Sequence, residues 1–327
     1  MIPEISADNL RSRGFAQDLL AKILDGNYNQ EQLIDVLTLL KSMSFNAEGV
    51  LGFRDAIMAR AENFEIAALC VIDICGTGGD GKNTFNISTL AALTVAACGF
   101  SVAKHGNSAS SSSSGSSDIL RALEIPLPAN GYEAQQQIMH AGITFLHAPH
   151  FHPALAALGT ARKKIGAPTV FNILGPLCHP AQPSCRVLGV ANPEVYQIYR
   201  EVLPAIGGTY AIIQDENGYD EISLTAPARI CINGAEKMFT AADFGLSPLQ
   251  PDDLTGAVDM TGNKNLFLAI ARGQGTDAQN AAVAANAALA MHLAQPERSI
   301  GEHFQAAQKV LQSGRVFTLI EKLRDQA

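Results

Sequence analysis

The sequence predicts an α/β protein in two parts, a small N-terminal helical domain hinged to a larger α/β domain with a mostly parallel central sheet. Three observations predict it. Residues 1–64 carry only helical periodicity. Residues 71–104 then run strand, glycine-rich loop, helix, strand, which is the order of a βαβ unit and requires parallel strands. A stretch bracketed by prolines and glycines, 168–184, interrupts the later alternation and predicts an excursion back to the helical part. Two chain crossings would then form a hinge. The expected boundaries are 1–66 for the helical domain, joined by 168–184, and 67–167 with 185–327 for the α/β domain. A chain of 327 residues is long enough for one large core or two modest ones.

The elements follow in order. Leu19, Leu20, Ile23 and Leu24 give one helix an apolar face, with Gly26 as its stop. Leu33, Ile34, Val36, Leu37, Leu39 and Leu40 make a second, preceded by Asn29, a residue type that caps helix N-termini. Val50, Leu51, Phe53 and Ile57 make a third, after Asn46. The apolar excess of these helices predicts burial against something beyond the bundle. Val71–Cys75 reads as a buried strand, Ser88–Cys98 as a helix and Phe100–Lys104 as the next strand. Further strands are expected at Ile143–His147, Arg186–Val190, Thr209–Ile213 and Arg229–Ile232. Helices are expected between them, at about Ile119–Leu123, Tyr132–Met139, Ala154–Lys164 and Val195–Leu203. From Asn265 the chain is helical again, and its Ala-rich segment 280–293 should pack closely on a neighbour.

Composition excludes several classes. The net charge is −8 and no basic stripe is visible, so a nucleic-acid partner is not expected. None of the six cysteines forms a CxxC pair, which argues against a zinc site or a redox motif. The longest apolar run, about Leu90–Cys98, is far too short to span a bilayer. Met1–Glu4 lacks the basic and apolar segments of a signal peptide. The expectation is a reduced, cytoplasmic protein with no membrane partner. An acidic protein of this kind needs local cations or a metal to handle a polyanion.

The chemistry concentrates at 73–89, where an apolar strand passes through four glycines in six residues, Gly76–Gly81, and leads into an Ala-rich helix. Flexible backbone, exposed N–H groups and a helix N-terminus together suit a phosphate. Gly78-Gly79 removes two Cβ atoms where backbone would approach an anion, and Ser88 or Thr89 can cap the helix. The loop is neither a P-loop nor a dinucleotide fingerprint. Lys82 reads best as a solvated lysine. Lys104-His105-Gly106-Asn107 ends the second strand, so it faces the same crevice as the glycine loop, and Lys104 brings a cation there. Ser110–Ser114 reads equally as a flexible linker or as a loop that closes over a phosphate. Asp220-Glu221 suits Mg²⁺ held jointly with substrate phosphates, but adjacent acids are more often a solvated pair. Arg162 could receive a carboxylate in bidentate fashion or lie on the surface beside Lys163 and Lys164. His147, His150 and His152 read as structural or substrate-lining rather than as zinc ligands.

Taken in order, Asp73–Thr89, Lys104–Asn107, Ser111–Asp118, Arg162, Phe171–Leu177 and Asp220-Glu221 resemble the anthranilate phosphoribosyltransferases, over essentially the whole chain. The resemblance implies an α/β fold of the nucleoside phosphorylase/phosphoribosyltransferase type, a homodimer paired through the helical domains, and a need for Mg²⁺. It implies transfer of the phosphoribosyl group of phosphoribosyl pyrophosphate to the amine of anthranilate, in tryptophan biosynthesis. Contacts to phosphoribosyl pyrophosphate are expected at Gly76, Gly79, Asp80, Thr84, Asn86, Ile87, Ser88 and Thr89. They continue at Lys104, His105, Gly106, Asn107, Ser108, Ala109, Ser110, Ser111, Ser112 and Ser116. Gly76, Asn107 and Arg162 match the anthranilate contacts, and Ser88, Asp220 and Glu221 the metal positions. No general base is identified, so Lys104, Asn107 and Arg162 are expected to act by positioning.

The chain departs from its relatives at Ser108, where Arg is common, at Ser110, where a branched apolar residue is common, and at Ser113, where Lys is common. The loop thereby loses positive charge and stiffness. Pro168 replaces a common Arg near the hinge. A pyrimidine nucleoside phosphorylase would share the architecture, but Arg162 and Asn172–Leu177 argue against it. A non-catalytic relative that binds nucleic acid would have lost the glycine and Asp-Glu motifs and gained basic surface, the opposite of what is present.

Overall fold

The computed structural model describes residues 5–66, 70–108, 114–165 and 169–325. Ala109, Ser110, Ser111, Ser112, Ser113 and Pro168 lie outside the described residues. The N-terminal part is helical: α1 (Ala7–Leu10), α2 (Arg13–Leu24), α3 (Gln30–Lys41) and α4 (Ala47–Met58). The two asparagines do start their helices. Asn29 Oδ1 accepts the Gln32 N–H at 2.9 Å while the Gln32 side chain accepts the Asn29 N–H at 2.9 Å, a complete capping box. Asn46 Oδ1 accepts the Gly49 N–H at 2.9 Å.

Seven strands form one sheet: β1 (Val71–Gly76), β2 (Ser101–Gly106), β3 (Ile143–His147), β4 (Cys185–Gly189), β5 (Thr209–Asp215), β6 (Ala228–Ile232) and β7 (Ala235–Phe239). Their spatial order is β3-β2-β1-β4-β5-β6-β7. The first five run parallel, and β6 and β7 are antiparallel additions at one edge. Patterning does not predict β7, because this edge strand is exposed along its length except at Phe239. The available signal is Asn233-Gly234, whose positive φ values of 48° and 90° suit a tight hairpin turn.

Helix α5 (Ile87–Ala97) connects β1 to β2, and α6 (Ser116–Ala122) and α7 (Gly131–Ala141) lie between β2 and β3. Between β3 and β4 come α8 (Ala148–Phe151), α9 (Gly159–Ile165) and α10 (Val170–Leu174). Helix α11 (Pro193–Ile206) joins β4 to β5, and α12 (Met260–Ala271), α13 (Asp277–Ala294), α14 (Ile300–Gln312) and α15 (Arg315–Arg324) complete the chain. The helix expected at 154–164 starts instead as a 3₁₀ segment, Pro153–Leu158, and becomes α-helical only at Gly159.

Two cores result. In the first, α13 lies against α5 and α14. Its alanines, among them Ala282, Ala284, Ala285, Ala287 and Ala288, are fully buried, as the Ala-rich sequence predicts for close helix packing. The second core answers the apolar excess of the N-terminal helices. Leu20, Leu37 and Phe53 share it with Leu158, Val170, Phe171 and Leu174, and with Leu188, Tyr199 and Ile212 from the sheet and α11. Tyr199 Oη donates to the Ile173 carbonyl at 2.6 Å and fixes α10 to α11. Segments 153–165 and 170–177 therefore pack with the N-terminal helices, so the return to them begins before residue 168.

One close approach organises the C-terminal ends of β1 and β4. A Cβ on Gly189 would stand 1.5 Å from the Asp220 carbonyl oxygen, and one on Gly76 would stand 2.2 Å from Asp220 Oδ2. Only hydrogen fits at Gly189, where the obstacle is backbone, whereas at Gly76 the obstacle is the Asp220 carboxyl. Gly189→Ala is therefore expected to lower stability by about 1–3 kcal/mol, the usual range for overpacking. Gly159→Ala, where a Cβ meets nothing within 4 Å, should be nearly neutral. Urea unfolding of the two variants checks this, and equal midpoints would contradict it.

Candidate active site

The chain adds β2 and β3 on one side of β1, then returns to place β4 and β5 on the other. The point where strand order reverses is where open α/β sheets hold their ligands, beyond the carboxyl ends of the strands. A cavity of about 330 Å³ opens there. It is lined by Gly76, Gly79, Asp80, Thr84, Asn86, Ser88 and Thr89 from the loop and start of α5. Lys104, His105, Gly106, Asn107, Ser108 and Ser116 line it from the end of β2 and the start of α6. Asp220 and Glu221, bonded to the glycine loop and the start of α5, also line it, as does Arg162. Ile87 does not line it. Its side chain, 1% exposed, is held in the core between sheet and helices because the first residue of α5 faces inward.

The acidic pair is not a solvated surface pair. Both carboxyls meet backbone donors from the glycine loop and the helix start. Gly78 N–H donates to Asp220 Oδ2 at 2.7 Å, and Ser88 N–H donates to Glu221 Oε1 at 2.9 Å. The expected capping by Ser88 or Thr89 is corrected accordingly. Asn86 is the N-cap residue and makes no side-chain cap bond. Its amide is held instead by Ser114, with Asn86 Nδ2 donating to the Ser114 carbonyl at 3.2 Å and Ser114 Oγ donating to Asn86 Oδ1 at 3.0 Å. A carboxylate 133 positions away in sequence takes the open helix N–H. Burial raises Asp220 to about 6, with Asp80 adding to the rise. Burial, followed by the charge of Asp220, raises Glu221 to about 8. Glu221 Oε2 is buried and has no hydrogen-bond partner.

Lys104 sits between the acids and the sheet. It is 4% exposed, donates to Ser88 Oγ at 3.3 Å and also donates to the Ile74 carbonyl. Regular β1–β2 pairing runs through Ile72 and Val102. Beyond it, side chains join the strands: Asp73 Oδ1, fully buried, accepts the His105 N–H at 3.1 Å. Lys82 lies outside the cavity lining, over the Tyr219 ring at 5.0 Å.

The opposite end of the cavity is apolar, with Ile57, Leu155, Phe171 and Leu174. The Arg162 guanidinium stacks over the Phe171 ring at 5.6 Å, and burial lowers its pKa. The histidines divide. His147 and His150 pair at 4.9 Å between ring centroids, while His152 joins His105 at 5.3 Å and lines the cavity. Burial lowers His152 to about 4, so its ring is neutral near pH 7. Among the described residues no group of three His, Cys, Asp or Glu side chains is placed to hold a metal by itself.

Sequence reasoning missed Asn286. From the middle of α13 its side chain accepts the Ile222 N–H at 3.0 Å and donates to the Ile222 carbonyl at 3.0 Å. This clamp fixes the residue that follows Glu221. The available signal was a polar amide inside an alanine run, a position where a buried side chain needs partners.

The raised pKa values give a sign for pH dependence. A carboxyl that binds its proton more tightly in the folded state stabilises fully below its unfolded pKa, and this stability is lost as pH rises through the folded value. For Glu221 that window runs from the ordinary carboxylate range to about 8. The protein without metal is expected to lose more stability between pH 5 and 8 than Glu221→Gln, which cannot titrate. Urea midpoints across that range measure it, and parallel profiles would contradict it.

Comparison with known proteins places this geometry. Residues 69–317 match the model of the glycosyl transferase family, a/b domain. The anthranilate phosphoribosyltransferase of Christiangramia forsetii is 37% identical over 94% of this chain and 93% of its own length. That of Flavobacterium johnsoniae is 37% identical over 96% and 95%. The crystal structure of the Thermus thermophilus enzyme superposes with a TM-score of 0.89 at 32% identity, over 96% of this chain and 95% of that one. The Saccharomyces cerevisiae enzyme in complex with PRPP and Mg gives 0.89 at 25% identity, over 98% and 96%. With sequence and architecture matched along nearly its whole length, the chain belongs to the anthranilate phosphoribosyltransferase family.

Proposed function

We propose that this protein transfers the phosphoribosyl group of phosphoribosyl pyrophosphate to the amine of anthranilate, giving N-(5-phosphoribosyl)anthranilate and pyrophosphate, a step of tryptophan biosynthesis. The observation that carries the reading is a single cavity with two chemistries. Its lining combines a glycine loop, hydroxyls, Lys104 and a half-buried acid pair with Arg162 over an aromatic ring. The first suits a phosphorylated sugar and the second a planar aromatic carboxylate.

Anthranilate brings a neutral aromatic amine, so the nucleophile needs no deprotonation before attack. The harder task is to expel pyrophosphate and support an oxocarbenium-like ribose. Arg162 orients the anthranilate carboxylate, and Asn107 and Gly76 lie between the two substrates, which brings the amine to C1 of the ribose. Lys104 contributes fixed positive charge on the phosphate side. The remaining described contacts to phosphoribosyl pyrophosphate are Gly79, Asp80, Thr84, Asn86, Ser88, Thr89, His105, Gly106, Ser108 and Ser116.

Ser88, Asp220 and Glu221 are the residues that would hold Mg²⁺. The fit rests on Glu221 Oε2, a buried acceptor with no partner among the described residues. Two carboxyls without a third protein ligand also suit an ion that shares its coordination with substrate phosphates. When bound, Mg²⁺ would neutralise charge on the departing pyrophosphate.

Several assembly properties belong to the same reading. The helices that pack with segments 153–165 and 170–177 form a lobe that moves on the chain crossings as a hinge. The protein works as a homodimer paired through this lobe, where Leu39 on α3 is an exposed apolar residue. It resides in the cytoplasm, in keeping with six free cysteines. Among the described residues no helix is long and apolar enough to cross a membrane.

Anthranilate fluorescence tests the reaction. Purified protein with phosphoribosyl pyrophosphate and Mg²⁺ is expected to consume the signal, and folded protein that leaves it unchanged would refute the reading. Arg162→Ala should raise KM for anthranilate at least about tenfold, the scale of a lost charge-assisted bond, with little change in phosphoribosyl pyrophosphate binding. An equal loss of both would refute the assigned role. Asp220→Asn should raise the Mg²⁺ concentration needed for half-maximal rate, and an unchanged requirement would remove Asp220 from the metal site.

A further inference from the structure

The described wall of the cavity carries few cations, although its proposed substrate is a polyanion. Lys104 and Arg162 are the lysine and arginine that line it. Position 108, just past the Lys-His-Gly-Asn turn, is an uncharged serine that lines the cavity. The structure brings a charge to it from elsewhere. Arg121, in the last turn of α6, donates from Nη1 to Ser108 Oγ at 3.0 Å. From Nη2 it meets His147 Nε2 at 2.8 Å.

This guanidinium is held in place. An arginine can only donate, so His147 Nε2 is the acceptor and the ring proton lies on Nδ1, which faces Ser117 Oγ at 2.9 Å. Burial and the Arg121 charge itself lower His147 to about 4, so the ring stays a neutral acceptor near pH 7. Asp118 forms an ion pair with it, Oδ1 at 3.6 Å from Nη1, while its other oxygen, Oδ2, accepts the Gly115 N–H at 3.1 Å. The Arg121 side chain remains 49% exposed. Two of its five N–H donors are committed to Ser108 and His147, which leaves planar donor capacity of the kind that suits phosphate oxygens.

We propose that Arg121 is a phosphate-binding cation of this cavity, delivered from helix α6 to the position where the loop itself has only Ser108. The proposal rests on the reading of the cavity as a phosphoribosyl pyrophosphate site and adds a residue to it. The site thus keeps a rim charge through a contact made across 13 positions of sequence.

Calorimetric titration of the intact protein tests this, with phosphoribosyl pyrophosphate, pyrophosphate and ribose 5-phosphate as separate ligands in the presence of Mg²⁺. Arg121→Gln is expected to weaken phosphoribosyl pyrophosphate about tenfold, a modest charge-assisted contact at a half-exposed site. It should also weaken whichever of the two fragments the guanidinium meets, and Arg121→Lys should recover part of the loss. Adding Ser108→Arg to Arg121→Gln should restore binding by returning the charge to the loop. KM for anthranilate at saturating phosphoribosyl pyrophosphate should stay unchanged, which a general loss of structure would not allow. Unaltered binding of all three ligands by Arg121→Gln would overturn the proposal, as would failure of Ser108→Arg to restore it. Failure of the unmodified protein to bind phosphoribosyl pyrophosphate would refute the functional reading and this proposal with it. Binding that ignores Arg121 would refute this proposal alone.

Discussion

The structure depends on one crossing. The backbone at Asp220 passes over the C-terminal end of β4 so closely that Gly189 has no room for a Cβ, and its side chain fills the corresponding space at Gly76 on β1. The acid pair and its backbone donors are arranged around this approach. Gly78 and Ser88 give their N–H groups to the two carboxyls. Asn286 holds the next residue by both of its backbone groups. The acid pair is thereby part of the scaffold as well as part of the site, and it holds two carboxyls largely out of water with Lys104 as a neighbouring cation.

That burial explains the electrostatics. An acidic chain that handles a polyanion gains from acids that stay partly protonated until a cation arrives. Glu221, raised to about 8, is in that condition at neutral pH. Buried without a partner on Oε2, it is destabilising when ionised and comfortable when protonated or bound to a cation. The proposed Mg²⁺ site is therefore also a place where metal binding and proton release are coupled.

The cavity joins two different cores. Its polar side grows from strand ends and the start of α5, which belong to the sheet core. Its apolar side grows from α4, α9 and α10, which pack with the N-terminal helices. Arg162 lies on that second side. The two proposed substrates therefore sit on parts of the molecule that meet at the cavity, and within the second of them Tyr199 on α11 fixes α10 through Ile173.

Much of this was legible in the sequence. Helical periodicity, asparagine caps, the βαβ order and the alanine run each encode local structure, and each has a local physical cause. The glycine loop and Lys104–Asn107 fell on neighbouring strand ends, because parallel strands bring their carboxyl ends together. What sequence could not supply were partners fixed by distant packing. Helix α5 is capped by Glu221 rather than by its own Ser88 or Thr89, Asn286 anchors a loop 64 positions away, and Arg121 reaches Ser108 from a helix face that reads as surface. The exposed strand β7 escaped for the opposite reason, since a solvated edge leaves no apolar pattern. The sequence by itself determined most of the elements, the family and the residue types of the cavity. The tertiary structure alone decided that Asp220 and Glu221 are held at the cavity by backbone donors, because their placement depends on two glycines on separate strands and an asparagine on a separate helix meeting at one point.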